Sequence, residues 1–333
     1  MNTPIKSLSL GILLCMGLVL LSWWNLFAWS VVPVTGLDVW HAVTAFDSQV
    51  IAQRIVIDLR LPRLLTALLV GAALAAAGTI MQGLTRNPLA APSVLGVNAG
   101  AALGMALVST LPAFYGAFST SIAAMLGGGL AWLLVMLLGS AWRMGGNDQG
   151  RLVLAGVAIS ALCAALTKAV VIMEEDQAAG VMTWLAGSLA DARWQSWSTF
   201  WPVALVGLIG ALLLTPALNL LQLGEDNARN LGINLLRSKL LGSLLVLILV
   251  GATISTVGSI GFVGLIVPHI ARLLMGQDFR LFLPVAMLLG AGLVTLADTL
   301  SRAITYPMET PAGAILALIG APFFIYLVRK RTL

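Results

Sequence analysis

Apolar runs of near-membrane length, separated by short charged or proline-bearing joints, set the rhythm of this chain. They cover roughly 8–29, 63–83, 93–110, 117–141, 151–173, 197–216, 239–257, 259–275, 283–300 and 311–328. A helix needs about 20 residues to cross the hydrocarbon core. Backbone groups in lipid must be satisfied inside the segment, so such runs are helical. The pattern predicts an all-α polytopic membrane protein with about ten transmembrane helices. The run at 259–275 is short enough to be a broken helix. No hydrophilic stretch exceeds about 35 residues, so residues 1–333 read as a single membrane domain.

Composition agrees: 59% of residues are hydrophobic, 9% are charged, and mean hydropathy is +1.00. A soluble domain carries about a quarter charged residues. The charges sort by side. Lys6, Arg86, Arg143, Arg151, Arg229, Arg237, Lys239, Arg272, Arg280 and Arg329-Lys330-Arg331 fall on one side of a ten-span arrangement. Asp38, Asp47, Asp58, Glu174, Glu175, Asp176, Asp191 and Glu309 fall on the other. The positive side is cytoplasmic, which puts both termini inside. The net charge of +5 is thus a topology signal. Nucleic acid is not an expected partner, because no basic stripe is interleaved with aromatics.

The first run, Leu8 to Leu21, continues through Trp23, Trp24, Phe27 and Trp29 without a small-x-small cleavage site. It reads as an uncleaved span with an aromatic anchor at the outer interface. Cys15 and Cys163 both lie inside spans, which disfavours a disulfide framework. Glycines cluster in the spans at Gly71, Gly78, Gly100, Gly104, Gly127-Gly128-Gly129, Gly258, Gly261 and Gly264. In membranes small residues let helices approach closely, so tight packing is their first reading and mobility of shifting helices the second. Proline turns punctuate the chain at Asn87-Pro88-Leu89-Ala90-Ala91-Pro92, Val267-Pro268-His269 and Glu309-Thr310-Pro311.

The longest interior hydrophilic segment, Asn219 to Lys239, holds one or two short helices. Leu220, Leu221 and Leu223 precede Gly224, Ala228 and Leu231 share a face, and Gly232 is a C-cap. Such helices either dock onto a soluble partner or lie on the headgroups as a connector.

Enzyme chemistry finds no constellation. The two histidines, His41 and His269, are far apart, so no metal site is expected. A phosphate-binding loop needs Gly-Lys-Ser/Thr, but Lys6, Lys168, Lys239 and Lys330 follow Ile, Thr, Ser and Arg. Ion-coupled transporters place charges near mid-membrane. Here only Lys168 and Asp298 qualify, both near the outer ends of their spans, and Asp298 has Arg302 four residues on as a helical partner. The energy source is expected outside this chain. At the outer face, Arg60-Leu61-Pro62-Arg63 opens the second run and Arg302 closes the ninth. Arginine forks suit carboxylates, so these are either interfacial anchors or a socket for acidic side chains of an external protein.

Several motifs in fixed order resemble one family over essentially the whole chain. They are RLPR at 60–63, LVGAALAAAGTIMQGLTRNPLAAPSVLGVNAGA at 69–101, RLVLAGVAIS at 151–160 and WLAGSL at 184–189. Further on come LGEDNARNLGI at 223–233, GSIGFVGLIVPHIAR at 258–272, LPVAMLLGA at 283–291 and LADTLSR at 296–302. These are similar to the permeases of cobalamin and ferric-siderophore ABC importers, the FecCD family. TRNPLAAPSVLGVNAGAALGMAL and WLAGSLADARWQ look most like its ferric citrate members.

The resemblance implies a type II ABC importer permease fold of ten spans in the bacterial inner membrane, multi-pass and surrounded by lipid. It implies a cytoplasmic ABC ATPase homodimer, a second permease subunit expected to be a paralogue, and a periplasmic substrate-binding protein as partners. The cargo is a ferric-siderophore complex, with ferric dicitrate preferred, moved by alternating access. ATP hydrolysis belongs to the separate ATPase subunit, and the permease holds no cofactor. Arg60, Arg63 and Arg302 match arginines that receive acids of the binding protein. Leu223, Gly224, Glu225, Asp226, Ala228, Arg229, Leu231 and Gly232, within cytoplasmic coupling helices at about 217–238, match the seat of the ATPase. Asn87 and Leu89 match the inner gate. Asp148-Gln149-Gly150 departs from the family and carries no role. Another iron chelate, haem or cobalamin is the alternative cargo, and a stand-alone secondary transporter the alternative class.

Overall fold

In a computed structural model, residues 3–110, 120–139, 149–173, 182 and 184–331 are described. Among them every regular element is helical: α1 (Thr3–Phe27), α2 (Gly36–Thr44), α3 (Ile51–Ile55), α4 (Leu61–Thr85), α5 (Val97–Thr110), α6 (Thr120–Leu138) and α7 (Gln149–Met173). After these come α8 (Trp194–Gln222), α9 (Glu225–Asn230), α10 (Leu235–Val257), α11 (Val263–Met275), α12 (Phe279–Ile304) and α13 (Ala312–Arg331). Six helices or continuous helical stretches are long and apolar enough to cross a membrane, and four apolar helices are shorter. Each coincides with one of the expected runs. The two short polar helices, α2 and α9, sit between spans.

The second span differs from its expected start at residue 63. A continuous helix runs over Ile51–Thr85, joining α3 to α4 through a π-helical turn at Val56–Arg60. Pro62 has no N–H to donate. The wider turn just before it absorbs that missing donor without ending the helix. Arg60 and Arg63 therefore stand on the flank of a helix that extends well beyond them.

α4 is the central post, with 78% of its apolar window buried, and α8, α10, α11 and α12 pack around it. Small residues allow this. A Cβ added to Gly71 would collide with the backbone of Gly290 on α12, and one on Gly78 with the backbone of Gly264 on α11. Gly100 and Gly104 on α5 meet Gly127, Ala123 and Ala131 on α6 in the same way. The packing reading therefore holds for Gly71, Gly78, Gly100, Gly104, Gly127 and Gly264. Gly129 and Gly261 have open space where a Cβ would stand, so close approach does not explain them.

The run at 259–275 is broken, as its length suggested. α10 stops at Val257, residues 258–262 are irregular, and α11 spans only 13 residues. Such backbone must be covered by protein. Ser259 N–H donates to Trp184 O at 3.3 Å, Ser188 N–H to Val257 O at 2.9 Å, and Gly313 N–H to Gly187 O at 2.9 Å. Gly258, at φ +76° and with Trp184 O against its α-carbon, admits no side chain.

Candidate functional site

At the outer face, four segments converge on Asp298. Its side chain is fully buried on α12, and Arg63 Nε on α4 donates to Oδ1 at 2.8 Å. Arg302 Nη2, one turn along α12, reaches Oδ2 at 3.3 Å. Asn25 on α1 donates from Nδ2 to Oδ2 at 3.1 Å and to Thr299 Oγ1 at 2.8 Å. Arg63 Nη1 also donates to Glu309 on the loop after α12 at 2.8 Å. A buried charge is tolerated only when paired and hydrogen-bonded, and here Asp298, Arg63 and Arg302 each have more than one partner.

The three outer arginines are not equivalent. Arg302 is 1% exposed and spends its remaining donors on Ala28 O at 3.1 Å and Asn25 O at 3.0 Å. In this conformation it offers nothing to an incoming carboxylate, because it braces α1 against α12. Arg63 is also buried, but its partner Glu309 is 36% exposed in the side chain and sits toward the surface. Arg60 donates from Nη2 to Trp29 O at 3.3 Å, while its buried Nη1 has no partner among the described residues. Arg60, Arg63 and Arg302 outnumber Asp298 and Glu309 by one charge, which leaves the cluster cationic. The expected pairing of Asp298 with Arg302 is present, although the shorter contact comes from Arg63.

At the inner face, α4 ends on Arg86 in the left-handed region at φ 49°. Asn87 Oδ1 accepts from Leu89 N–H at 3.0 Å, and Ala90 N–H donates to Asn87 O at 3.0 Å. This local turn fixes the Asn87-Pro88-Leu89 joint. Beside it lies α9. Arg86 Nη1 is 3.9 Å from where a Cβ of Gly224 would stand, so the gate turn and the coupling segment are neighbours.

Within that segment Leu220 and Leu221 belong to the end of α8 rather than to a separate helix. Gly224 adopts φ +103° and Gly232 φ +88°, and Ile233 N–H closes onto Ala228 O at 3.0 Å, the capping expected of Gly232. Ala228 is fully buried, whereas Leu223 and Leu231 are 57% and 59% exposed. Ala228 and Leu231 thus face opposite ways, because Leu231 lies past the helix end. Glu225 is tied to Lys239 on α10 at 2.8 Å. Asp226 and Arg229 lie on the same short helix. Asp148 lies outside the described residues; Gln149 and Gly150 open α7.

Asn25, Glu309, Arg86 and Lys239 were missed as site residues. Asn25 had a signal, a lone amide between tryptophans and phenylalanine in an apolar run. The other three are surface charges whose partners only the fold reveals.

A bundle of apolar helices with a broken span and a buried outer ion cluster is the architecture of a polytopic membrane protein. The chain belongs to the FecCD transport family, which it matches over residues 15–330. It is 48% identical over 315 residues to the Fe(3+) dicitrate transport system permease protein FecC of Escherichia coli, covering 94% of this chain and 95% of that one. It is 42% identical over 280 residues to the hemin transport system permease protein HmuU of Yersinia pestis, covering 83% of each. Its fold is similar, at TM-score 0.80 and 33% identity over 95% of this chain and 97% of the other, to a metal-chelate type ABC transporter in an inward-facing conformation. Importers of this kind work with an ATPase and a substrate-binding protein.

Proposed function

We propose that this chain is the inner-membrane permease of a bacterial ferric dicitrate importer, working by alternating access between a binding protein outside and an ATPase homodimer inside. The 48% identity to a dicitrate permease over nearly the whole of both chains carries the choice of cargo. A second, different permease completes the path.

Binding-protein carboxylates dock on Arg60 and Arg63. Arg60 has a free donor, and Arg63 is reachable where Glu309 now sits. Arg302 acts through Asp298, holding α1 and α12 as one unit beneath the docking site. On the inner side Leu223 and Leu231 enter the ATPase surface, and the Glu225–Lys239 pair transmits movement of α9 to α10. Arg86, which stands beside Gly224, passes it to the Asn87–Leu89 turn at the inner gate. Residues 1–333 serve as a single permease domain, with coupling helices at about 217–238.

The test is uptake of radioiron dicitrate into proteoliposomes holding the complete complex, with its binding protein and ATP. Uptake that needs all components is expected. Uptake by this chain alone would return it to the secondary transporters, and uptake of haem or another chelate in place of dicitrate would change the cargo.

A further inference from the structure

Lys168 lies on α7, five residues before Met173, the last described residue of that helix, and inside the apolar window Gly150–Met173. At 1.5 Å per residue its Cα is about 7–8 Å below Met173. The side chain is exposed on the subunit surface, as are Ala161, Ala164, Ala165 and Ala169 around it and Ile172 one turn on, while Cys163 and Thr167 turn into the bundle. No hydrogen bond or ion pair holds Lys168 among the described residues. Neither α7 nor the helices packed against it, α5 and α6, contain an Asp or Glu.

Lipid is a poor neighbour for this face. A lysine at membrane depth can lead its ammonium to the headgroups, but helical side chains lean toward the helix N-terminus. The N-terminus of α7 is its cytoplasmic end, so the stem starts toward the middle of the membrane and away from the nearer outer interface. Small alanines around the charge leave room beside it. A charged group facing out of a span at this depth belongs to a water-filled cavity.

We infer that Lys168 lines the translocation path and attracts an anionic metal chelate as it leaves the binding protein. The inference rests on the reading of this chain as a ferric dicitrate permease. Two citrates carry more negative charge than one ferric ion neutralises, so the complex is an anion. Glu174, Glu175 and Asp176 follow α7 on the outer side. A flexible ammonium below them, between low-dielectric walls, offsets their repulsion and raises the local concentration of an anion without the fixed bidentate grip of arginine. It draws the cargo in and lets it go.

The test uses the complete importer in proteoliposomes. Lys168→Gln should lower radioiron dicitrate uptake roughly five-fold, Lys168→Glu should lower it further, and Lys168→Arg should restore most of it. ATPase stimulation by the loaded binding protein should be unchanged, because docking is untouched. Wild-type uptake by both the Gln and Glu variants would overturn the inference. So would loss of the second permease on purification of Lys168→Glu, which would assign Lys168 to an acid of that subunit. Independently, Lys168→Cys in a Cys15→Ser, Cys163→Ala background should react with a membrane-impermeant, negatively charged thiol reagent and be protected by ferric dicitrate. No reaction would place the residue against lipid. If wild-type importer carries no dicitrate, the choice of cargo fails, and thiol labelling still decides whether the face is wet.

Discussion

Arg63 and Asp298 are 235 residues apart in the chain and 2.8 Å apart in the fold, sealed where α4 crosses α12. Asp298 is fully buried, so removing its charge strands the Arg302 guanidinium and leaves Arg63 with Glu309 alone. Breaking a buried pair by deleting one partner costs about 3–5 kcal/mol. Asp298→Ala should therefore lower the unfolding midpoint in detergent far more than the apolar triple replacement Arg63→Met, Asp298→Leu and Arg302→Met, which leaves no buried cation behind. A smaller effect for the single change than for the triple would show that the cluster does not hold the helices together.

That burial changes how docking should be probed. Reversing Arg63 would disturb Asp298 as well as any binding protein, so a loss there is ambiguous. Arg60 has no ionic partner among the described residues and is the cleaner position. Arg60→Glu should slow binding-protein association at low salt and flatten its dependence on salt while leaving assembly intact. Normal association rates for this variant would remove Arg60 from the docking surface.

Glu309 occupies the side of Arg63 nearest the outer surface. If docking carboxylates take its place, Glu309→Gln weakens the competitor and should tighten binding-protein affinity. Part-exposed pairs are worth about 0.2–1 kcal/mol, so the gain should stay below about five-fold. Weaker binding would mean instead that Glu309 orients Arg63 for its partner.

The spans were legible because their signal is additive: some twenty apolar residues cannot be hidden by one glycine or proline. Gly71, Gly78 and Gly264 could be read as packing residues, but not that Gly71 meets Gly290 and Gly78 meets Gly264, since sequence carries no register between distant helices. Composition also missed the continuation of the second span to Ile51, because Asp58 and Arg54 look like loop residues until Arg54 and Asp58 are seen one turn apart. RLPR marked the right region, and which arginine is enclosed depended on Asn25 and the carbonyls of α1.

In the coupling segment, Gly224 stands at φ +103°, where an L side chain is strained. Gly224→Ala should cost on the order of 1–3 kcal/mol locally and tilt α9. ATPase activity should then become less responsive to the loaded binding protein while the complex still assembles. Leu231→Asp differs, because a charge on an exposed apolar anchor should detach the ATPase outright. Co-purification separates the two, and normal ATPase recovery with Leu231→Asp would exclude that residue from the interface.

Asp278, which caps α12 at the inner face, gives a pH signature. Its carboxylate is held below the usual range, first by the Arg280 backbone N–H at 3.0 Å and then by Asn219 Nδ2 at 2.7 Å. Asn219 Oδ1 in turn accepts from Phe279 N–H at 2.9 Å, so the pair clamps the end of α8 to the start of α12. A depressed folded-state value means the carboxylate adds stability above its unfolded value of about 3.9. That contribution is lost as pH falls through the lower folded value. Asp278→Asn keeps an acceptor but removes the charge. The variant should therefore melt below wild type at neutral pH, and the gap should close on acidification below about 3.9. A gap that stays constant to low pH would assign the difference to packing at the cap rather than to the charge.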